Sequence, residues 1–128
     1  MERPDYSALE EILEDMNREG GFYASILARD DGLLIASATA PNINKNVIAA
    51  MSGYVASTVE RMREELSLGE LNDINVRCTA GKAVFKKLDL AHQDDLVLAA
   101  VMPRTVRYHL RPLGKGGTRI KNVLGKGR

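Results

Sequence analysis

Apolar residues recur along the chain first at helical and then at strand spacing. The capping box from Ser7 to Glu10 predicts the start of a first helix, and Gly20-Gly21 predicts its end. Its apolar stripe consists of Leu9, Ile12, Leu13 and Met16. Two short β-forming runs follow, residues 22–28 and 33–38. The sequence Asp31-Gly32 between them predicts an antiparallel hairpin.

A second helix is predicted from Asn44, its N-cap, to about Leu66, with Ile43 and Ile48 as a hydrophobic staple. Three more strands follow, in residues 71–79, 83–88 and 96–102. The last strand is apolar on both faces, which is typical of the middle of a sheet covered by helices. The order predicts an α+β fold, with one five-stranded antiparallel sheet sandwiched by helices (α-β-β-α-β-β-β-α).

The second helix carries no charged residue from position 47 to position 59, which predicts burial on two sides. One stripe has the spacing of a core face: Ile48, Met51, Val55, Val59, Met62 and Leu66. A second stripe has small side chains, which let two backbones approach closely: Ala49, Ser52, Gly53, Ala56 and Ser57. We expect the small stripe to meet a second copy of the chain, so that Gly53→Arg would separate the copies. The alternative is a helix fully internal to a monomer.

The order of elements and two segments of the sequence resemble the Roadblock family. The segments are residues Ser25 to Ala38 and the small-residue helix from Ala49 to Thr58. Its members include the dynein light chain Roadblock and prokaryotic regulators of Ras-like GTPases. The resemblance implies a homodimer in which the second helices pair and the third strands join edge to edge. The interface on that strand would comprise Ile74, Asn75, Val76 and Arg77. The resemblance also implies a platform that binds a Ras-like small GTPase, and no catalytic residue carries over.

Charge divides the chain at residue 103. Residues 1–103 hold 10 Lys/Arg and 17 Asp/Glu, whereas residues 104–128 hold 8 Lys/Arg and no acid. We therefore expect a Roadblock-like domain over 1–103 and a basic, partly helical tail over 104–128, interrupted at Pro112 and at Gly114-Lys115-Gly116-Gly117. Its candidate binding residues are Arg104, Arg107, Arg111, Lys115, Arg119 and Lys121. Docking on the acidic first helix or on a partner is favoured over anionic lipid or nucleic acid.

Candidate chemistry is sparse. His92 with Asp94 and Asp95 is more typical of a solvated loop than of a metal site. The alternation around Cys78 predicts a buried structural thiol, which has no companion base. We expect no cofactor and no catalysis by this chain.

We expect a cytoplasmic protein, because the chain has one cysteine and no apolar signal segment at its start. The leading hypothesis is a homodimeric platform for a Ras-like GTPase, in which another Roadblock protein could replace the second copy. The alternative is a sensor that holds a small molecule or lipid in a cavity between sheet and helices. A third possibility is a nucleic-acid protein that acts through the tail.

Overall fold

The computed structural model describes residues 5–90 and 95–125, and within them three helices and five strands. In chain order they are α1 (Tyr6–Gly20), β1 (Ala24–Arg29), β2 (Leu34–Thr39), α2 (Lys45–Glu65), β3 (Ile74–Arg77), β4 (Lys82–Leu88), β5 (Leu96–Met102) and α3 (Leu110–Gly125). The order of elements and the antiparallel sheet confirm the predicted α+β fold.

The strands form one antiparallel sheet in the order β2-β1-β5-β4-β3. β5 lies in the middle, as its apolar faces predicted, and Ala99 pairs with Ile26 on one side and Phe85 on the other. The predicted hairpin joins β1 to β2, and Gly32 in its turn has a φ of 93°, which favours glycine. β3 lies at one edge of the sheet.

Helices cover both faces of the sheet. α1 and α3 pack on one face and enclose the larger core, which includes Leu13, Leu98 and Ile120. α2 packs on the opposite face, over a smaller core that contains Ile26 and Phe85. The sheet therefore has no wet face along its central strands, which explains the continuous apolar run of β5.

The helix starts follow local hydrogen bonding. Asn44 caps α2 as predicted, since its side chain accepts hydrogen bonds from the backbone N–H groups of Asn46 and Val47. The predicted start of α1 at Ser7 is wrong. Asp5 is the cap instead, and its carboxylate accepts from the backbone N–H of Ala8 at 3.0 Å.

The predicted interruptions of the C-terminal segment are wrong, because α3 is one continuous helix from Leu110 to Gly125. Pro112 lies in the first turn, where a backbone N–H has no intrahelical acceptor to lose. Gly116 and Gly117 face the core, where a Cβ at Gly116 would collide with the Met16 side chain. These glycines therefore permit close packing. The predicted domain boundary at residue 103 falls in the connection between β5 and α3.

β3 is shorter than the predicted strand of residues 71–79, and it ends at Arg77. Cys78 is therefore exposed, beyond the strand, and the predicted buried thiol is wrong. His92 and Asp94 lie outside the described residues. Asp95 is described, and its carboxylate forms an ion pair with Lys87 at 3.0 Å.

Candidate self-association and partner-binding surface

The inner face of α2 carries only small buried side chains: Ala49, Ser52, Gly53 and Ala56. Their size follows from a close approach between α2 and the β1–β2 turn. A Cβ added at Gly53 would lie 2.9 Å from the backbone N of Gly32 and 3.2 Å from the carbonyl oxygen of Asp30. Nothing larger than glycine fits there without movement of the backbone.

The outer face of α2 carries large apolar side chains that this chain does not cover. We call these side chains, together with the exposed Thr58 among them and Leu66 at the C-cap, the outer stripe: Val47, Met51, Tyr54, Thr58, Met62 and Leu66. Tyr54 is 73% exposed and Met51 is 54% exposed. A row of exposed large apolar residues of this kind is typical of a surface that binds another molecule.

The assignment of the two α2 faces made from sequence is therefore wrong in large part, although Ile48 and Val55 of the predicted core stripe do pack against the smaller core. The small residues predicted to meet a second chain, Ala49, Ser52, Gly53 and Ala56, are covered by the sheet of the same chain. Of the predicted core stripe, Met51, Met62 and Leu66 are exposed. Ser57 alone among the predicted small-stripe residues is exposed. The prediction of self-association now rests on the opposite face.

The turn after α2 extends the apolar surface beyond the helix. Ser67 adopts a positive φ of 53° and Gly69 one of 86°, so the chain reverses sharply after Leu66. The Arg63 guanidinium donates a hydrogen bond to the carbonyl oxygen of Gly69 at 3.3 Å, which fixes the turn. Leu68, two residues after Leu66 in the chain, is left 62% exposed.

β3 presents an open edge of the sheet. Its four residues pair with β4 alone among the described strands, with Ile74 opposite Phe85 and Arg77 opposite Lys82. Asn75, Val76 and Arg77 are exposed, and Ile74 is half-buried. The unpaired backbone groups of such an edge are able to bond to a strand of another chain.

A cluster of ion pairs anchors α2 to the sheet. Glu60 accepts hydrogen bonds from Arg63 and Lys87, both at 2.8 Å, and Lys87 also pairs with Asp95. These hydrogen bonds, from Arg63 first and Lys87 second, lower the pKa of Glu60 to about 2. The cluster joins α2 to β4 and to the residue before β5, and it fixes the orientation of α2 on the sheet.

Two basic residues of α3 contact α1. Arg119 pairs with Asp15 at 2.8 Å and Lys115 pairs with Glu19 at 3.0 Å. The hydrogen bond from Arg119 is the main cause that lowers the pKa of Asp15. The other candidate tail residues are exposed: Arg104, Arg107, Arg111 and Lys121. Asp15 and Glu19 both lie on α1, the acidic first helix on which the tail was predicted to dock.

In the described part of the chain, no group of three His, Cys, Asp or Glu side chains has the arrangement of a metal site. None of the described helices has the length and apolar character needed to span a bilayer. The surface cavities of the described residues include one of about 580 Å³ and one of about 320 Å³, and both are lined in large part by charged residues.

Comparison with known proteins identifies the family. The family model of the Roadblock/LC7 domain matches residues 8–88, from α1 to the end of β4. This chain belongs to the Roadblock/LC7 family. The match confirms the resemblance drawn from the hairpin and from the small-residue helix. It contains α2 and β3, the two elements that form the candidate surface.

Solved structures share the family fold over nearly the whole chain. MglB of Myxococcus xanthus superposes with a TM-score of 0.85 and 11% identity, covering 98% of this chain and 94% of that one. An MglB described with a tetrameric arrangement superposes with a TM-score of 0.81 and 13% identity, covering 100% and 96%. At such identities the likeness establishes the fold alone. These superpositions include α3, which lies outside the residues matched by the family model.

One curated relative is the uncharacterized protein MJ0714 of Methanocaldococcus jannaschii. It is 28% identical over 78 residues, which cover 61% of this chain and 66% of that protein. The match thus spans slightly less than two thirds of the relative's length.

Sequence reasoning missed the outer stripe because it assigned large apolar residues to the core by default. One signal was available in the sequence. The hydroxyl groups of Tyr54 and Thr58 lie on the same helical face as the large side chains of Met51 and Met62. The small stripe opposite contains a glycine, which is typical of backbone contact inside a fold as well as between chains.

Proposed function

We propose that this protein is a non-catalytic homodimeric platform that binds and regulates a Ras-like small GTPase. The observation that carries the proposal is the outer stripe of α2, an apolar row exposed in the single chain. In the proposed dimer the two α2 helices pack through this stripe. Packing of Met51, Tyr54 and Met62 against their counterparts would remove from water the surface that the single chain leaves exposed.

The β3 edge supports the same assembly. Two copies related by a two-fold axis would bring β3 beside its counterpart, and their unpaired backbone groups would then bond across the axis. Self-association also agrees with the tetrameric arrangement described for an MglB of the same fold. A second Roadblock protein in place of the symmetry mate would use the same two elements.

The GTPase is proposed as the partner because the Roadblock resemblance implies it. We propose that the paired α2 helices form the centre of the contact and that hydrolysis uses the groups of the GTPase. The cytoplasm, where such GTPases act, is the proposed location.

Calorimetry of the full chain with each Ras-like GTPase of the same genome, loaded with GDP or a non-hydrolysable GTP analogue, tests the proposal. We expect binding in one nucleotide state, with one GTPase per two chains. The variant Tyr54→Glu should abolish it and Tyr108→Glu, a change at an exposed tyrosine outside α2, should not. Absence of binding in both states for every GTPase would contradict the platform and favour the sensor alternative.

A further inference from the structure

The larger surface cavity lies where three separate segments meet. β3, the start of β4 and the connection from β5 to α3 enclose about 580 Å³. The described residues that line it are Asn75, Arg77, Lys82, Arg104, Thr105, Val106, Arg107 and His109. Four of these eight side chains are Lys or Arg, and none of them is acidic. The volume is within the usual range for small-molecule sites.

Lys82 is the buried centre of this cavity. The residue is only 7% exposed, and its ammonium group donates to the carbonyl oxygen of Val106 at 2.5 Å. Its Nζ also lies 3.1 Å from Nδ1 of His109. An ammonium group has three donors, and these two neutral acceptors leave one N–H without an acceptor among the described residues. A buried cation in such surroundings gains from a nearby negative charge.

His109 adds a second buried donor. Burial is the main cause that lowers the pKa of His109, and the charge of Lys82 is the second. Asp73 has a smaller effect that raises this pKa. The imidazole is therefore neutral near pH 7. Because Lys82 can only donate, Nδ1 of His109 must accept, and the ring proton resides on Nε2. A neutral histidine in this tautomer offers one N–H donor.

The cationic groups around Lys82 have no ion-pair partner among the described residues. Arg77, Arg104 and Arg107 are exposed side chains, and like Lys82 they form no ion pair with any carboxylate in residues 5–90 and 95–125. The arrangement differs from that of the basic residues on α3, where Lys115 and Arg119 are paired with acids of α1. The cavity thus concentrates positive charge. Asp73 acts on His109 from a distance, but no described carboxylate forms an ion pair with these four cations.

We propose that this cavity binds a phosphate-bearing anion. A phosphate group brings close to two negative charges and three strong acceptor oxygens, which suits a buried ammonium ringed by guanidinium forks. The phosphate could belong to a free small molecule or to a lipid headgroup. The cavity shares Asn75 and Arg77 with the β3 edge of the proposed dimer, but its buried centre, Lys82 with His109, lies on β4 and on the β5–α3 connection.

The test is calorimetric titration of the full chain with inorganic pyrophosphate in a phosphate-free buffer. We expect one site per chain. Arg104→Gln should weaken binding about tenfold, because it removes one charge-assisted contact from an exposed position and spares the fold. Lys82→Met should abolish it, with circular dichroism to show that the variant folds. The matched control is Lys121→Gln, which removes an exposed cation of α3 outside the cavity and should change the affinity less than twofold.

A second arm identifies the source of the phosphate. The same proteins are sedimented with phosphatidylcholine vesicles, with and without phosphatidic acid. Retention only on phosphatidic acid, lost in Arg104→Gln and kept in Lys121→Gln, supports a lipid headgroup, while pyrophosphate binding without retention supports a free ligand. The proposal is overturned if neither probe binds, or if Lys121→Gln weakens binding as much as Arg104→Gln, since that result would indicate diffuse charge attraction.

Discussion

At the scale of single residues, Gly53 decides how α2 lies on the sheet. Its Cα approaches the backbone of Gly32 so closely that a methyl group there would meet main-chain atoms at 2.9 to 3.2 Å. Main chain in a tight turn yields less readily than the end of a side chain. We therefore expect Gly53→Ala to lower the free energy of unfolding by about 1–3 kcal/mol, measured by chemical denaturation, despite the better helix propensity of alanine.

Gly114→Ala is the matched control. Gly114 is also helical, but no atom lies within 4 Å of the position that a Cβ would take. Alanine should therefore raise the free energy of unfolding, by about 0.5–1 kcal/mol. A Gly53→Ala protein as stable as Gly114→Ala would show that α2 does not lie this close to the turn. By the same geometry, Gly53→Arg should disrupt the fold rather than only the contact between chains.

Glu60 gives the fold a defined acid sensitivity. Its pKa is about 2 in the folded chain, against an ordinary value of 4.5, because Arg63 and Lys87 donate hydrogen bonds to the carboxylate. A lowered pKa stabilises the fold above pH 4.5, and that stabilisation is lost as the pH falls towards 2. Glu60→Gln should cost about 1–2 kcal/mol at pH 7, and this difference from the native chain should shrink below pH 4.

Denaturant unfolding at pH 7, 4 and 2.5 measures the effect. Glu64→Gln is the control, since Glu64 is an exposed neighbour on α2 whose contact with Arg63 is 4.0 Å long. A constant difference between Glu60→Gln and the native chain at all three pH values would contradict the ionic role of Glu60.

At the scale of elements, α2 has one feature that the local sequence pattern determines and one that depends on tertiary contact. Its start at Asn44 was predictable because a cap is a matter of three or four adjacent residues. Its orientation was not, because two apolar stripes lie on opposite sides of the helix. The choice between them depends on the turn at Gly32, some twenty residues earlier, which admits only small side chains beneath the helix.

In α3, too, tertiary contact overrides a local sequence pattern. Pro112 and the glycines indicated a break when considered as local signals. In the fold, the proline lies in a first turn that tolerates it, and Gly116 and Gly117 lie against α1 and β4 side chains. These glycines permit close packing. The same use of small residues was predicted from the sequence for α2 but not for α3.

The outer stripe of α2 yields a prediction about assembly. A carboxylate at position 54 would have to be buried at the proposed helix pair, so Tyr54→Glu should weaken self-association at least tenfold in analytical ultracentrifugation. Stability of the single chain should change little, since Tyr54 is 73% exposed. The control is Tyr108→Glu, at a tyrosine that is 84% exposed and lies outside α2. Equal weakening by both changes would show that general charge, not the stripe, governs association.

At the scale of the whole molecule, topology was the most predictable property. Hairpin chemistry at Asp31-Gly32 and the double-sided apolar run of β5 were sufficient to place a helix-covered antiparallel sheet. The basic cavity was not predictable. Lys82 and His109 are 27 residues apart in the chain, and only the packing of the β5–α3 connection beside β4 brings them together.

The central claim is that the exposed outer stripe and the β3 edge hold two chains together. Light scattering of the full chain over a micromolar concentration series tests it most directly. We expect a mass of twice the 14.0 kDa of one chain. A mass of 14.0 kDa at every concentration would contradict it, because the outer stripe of α2 would then stay in water.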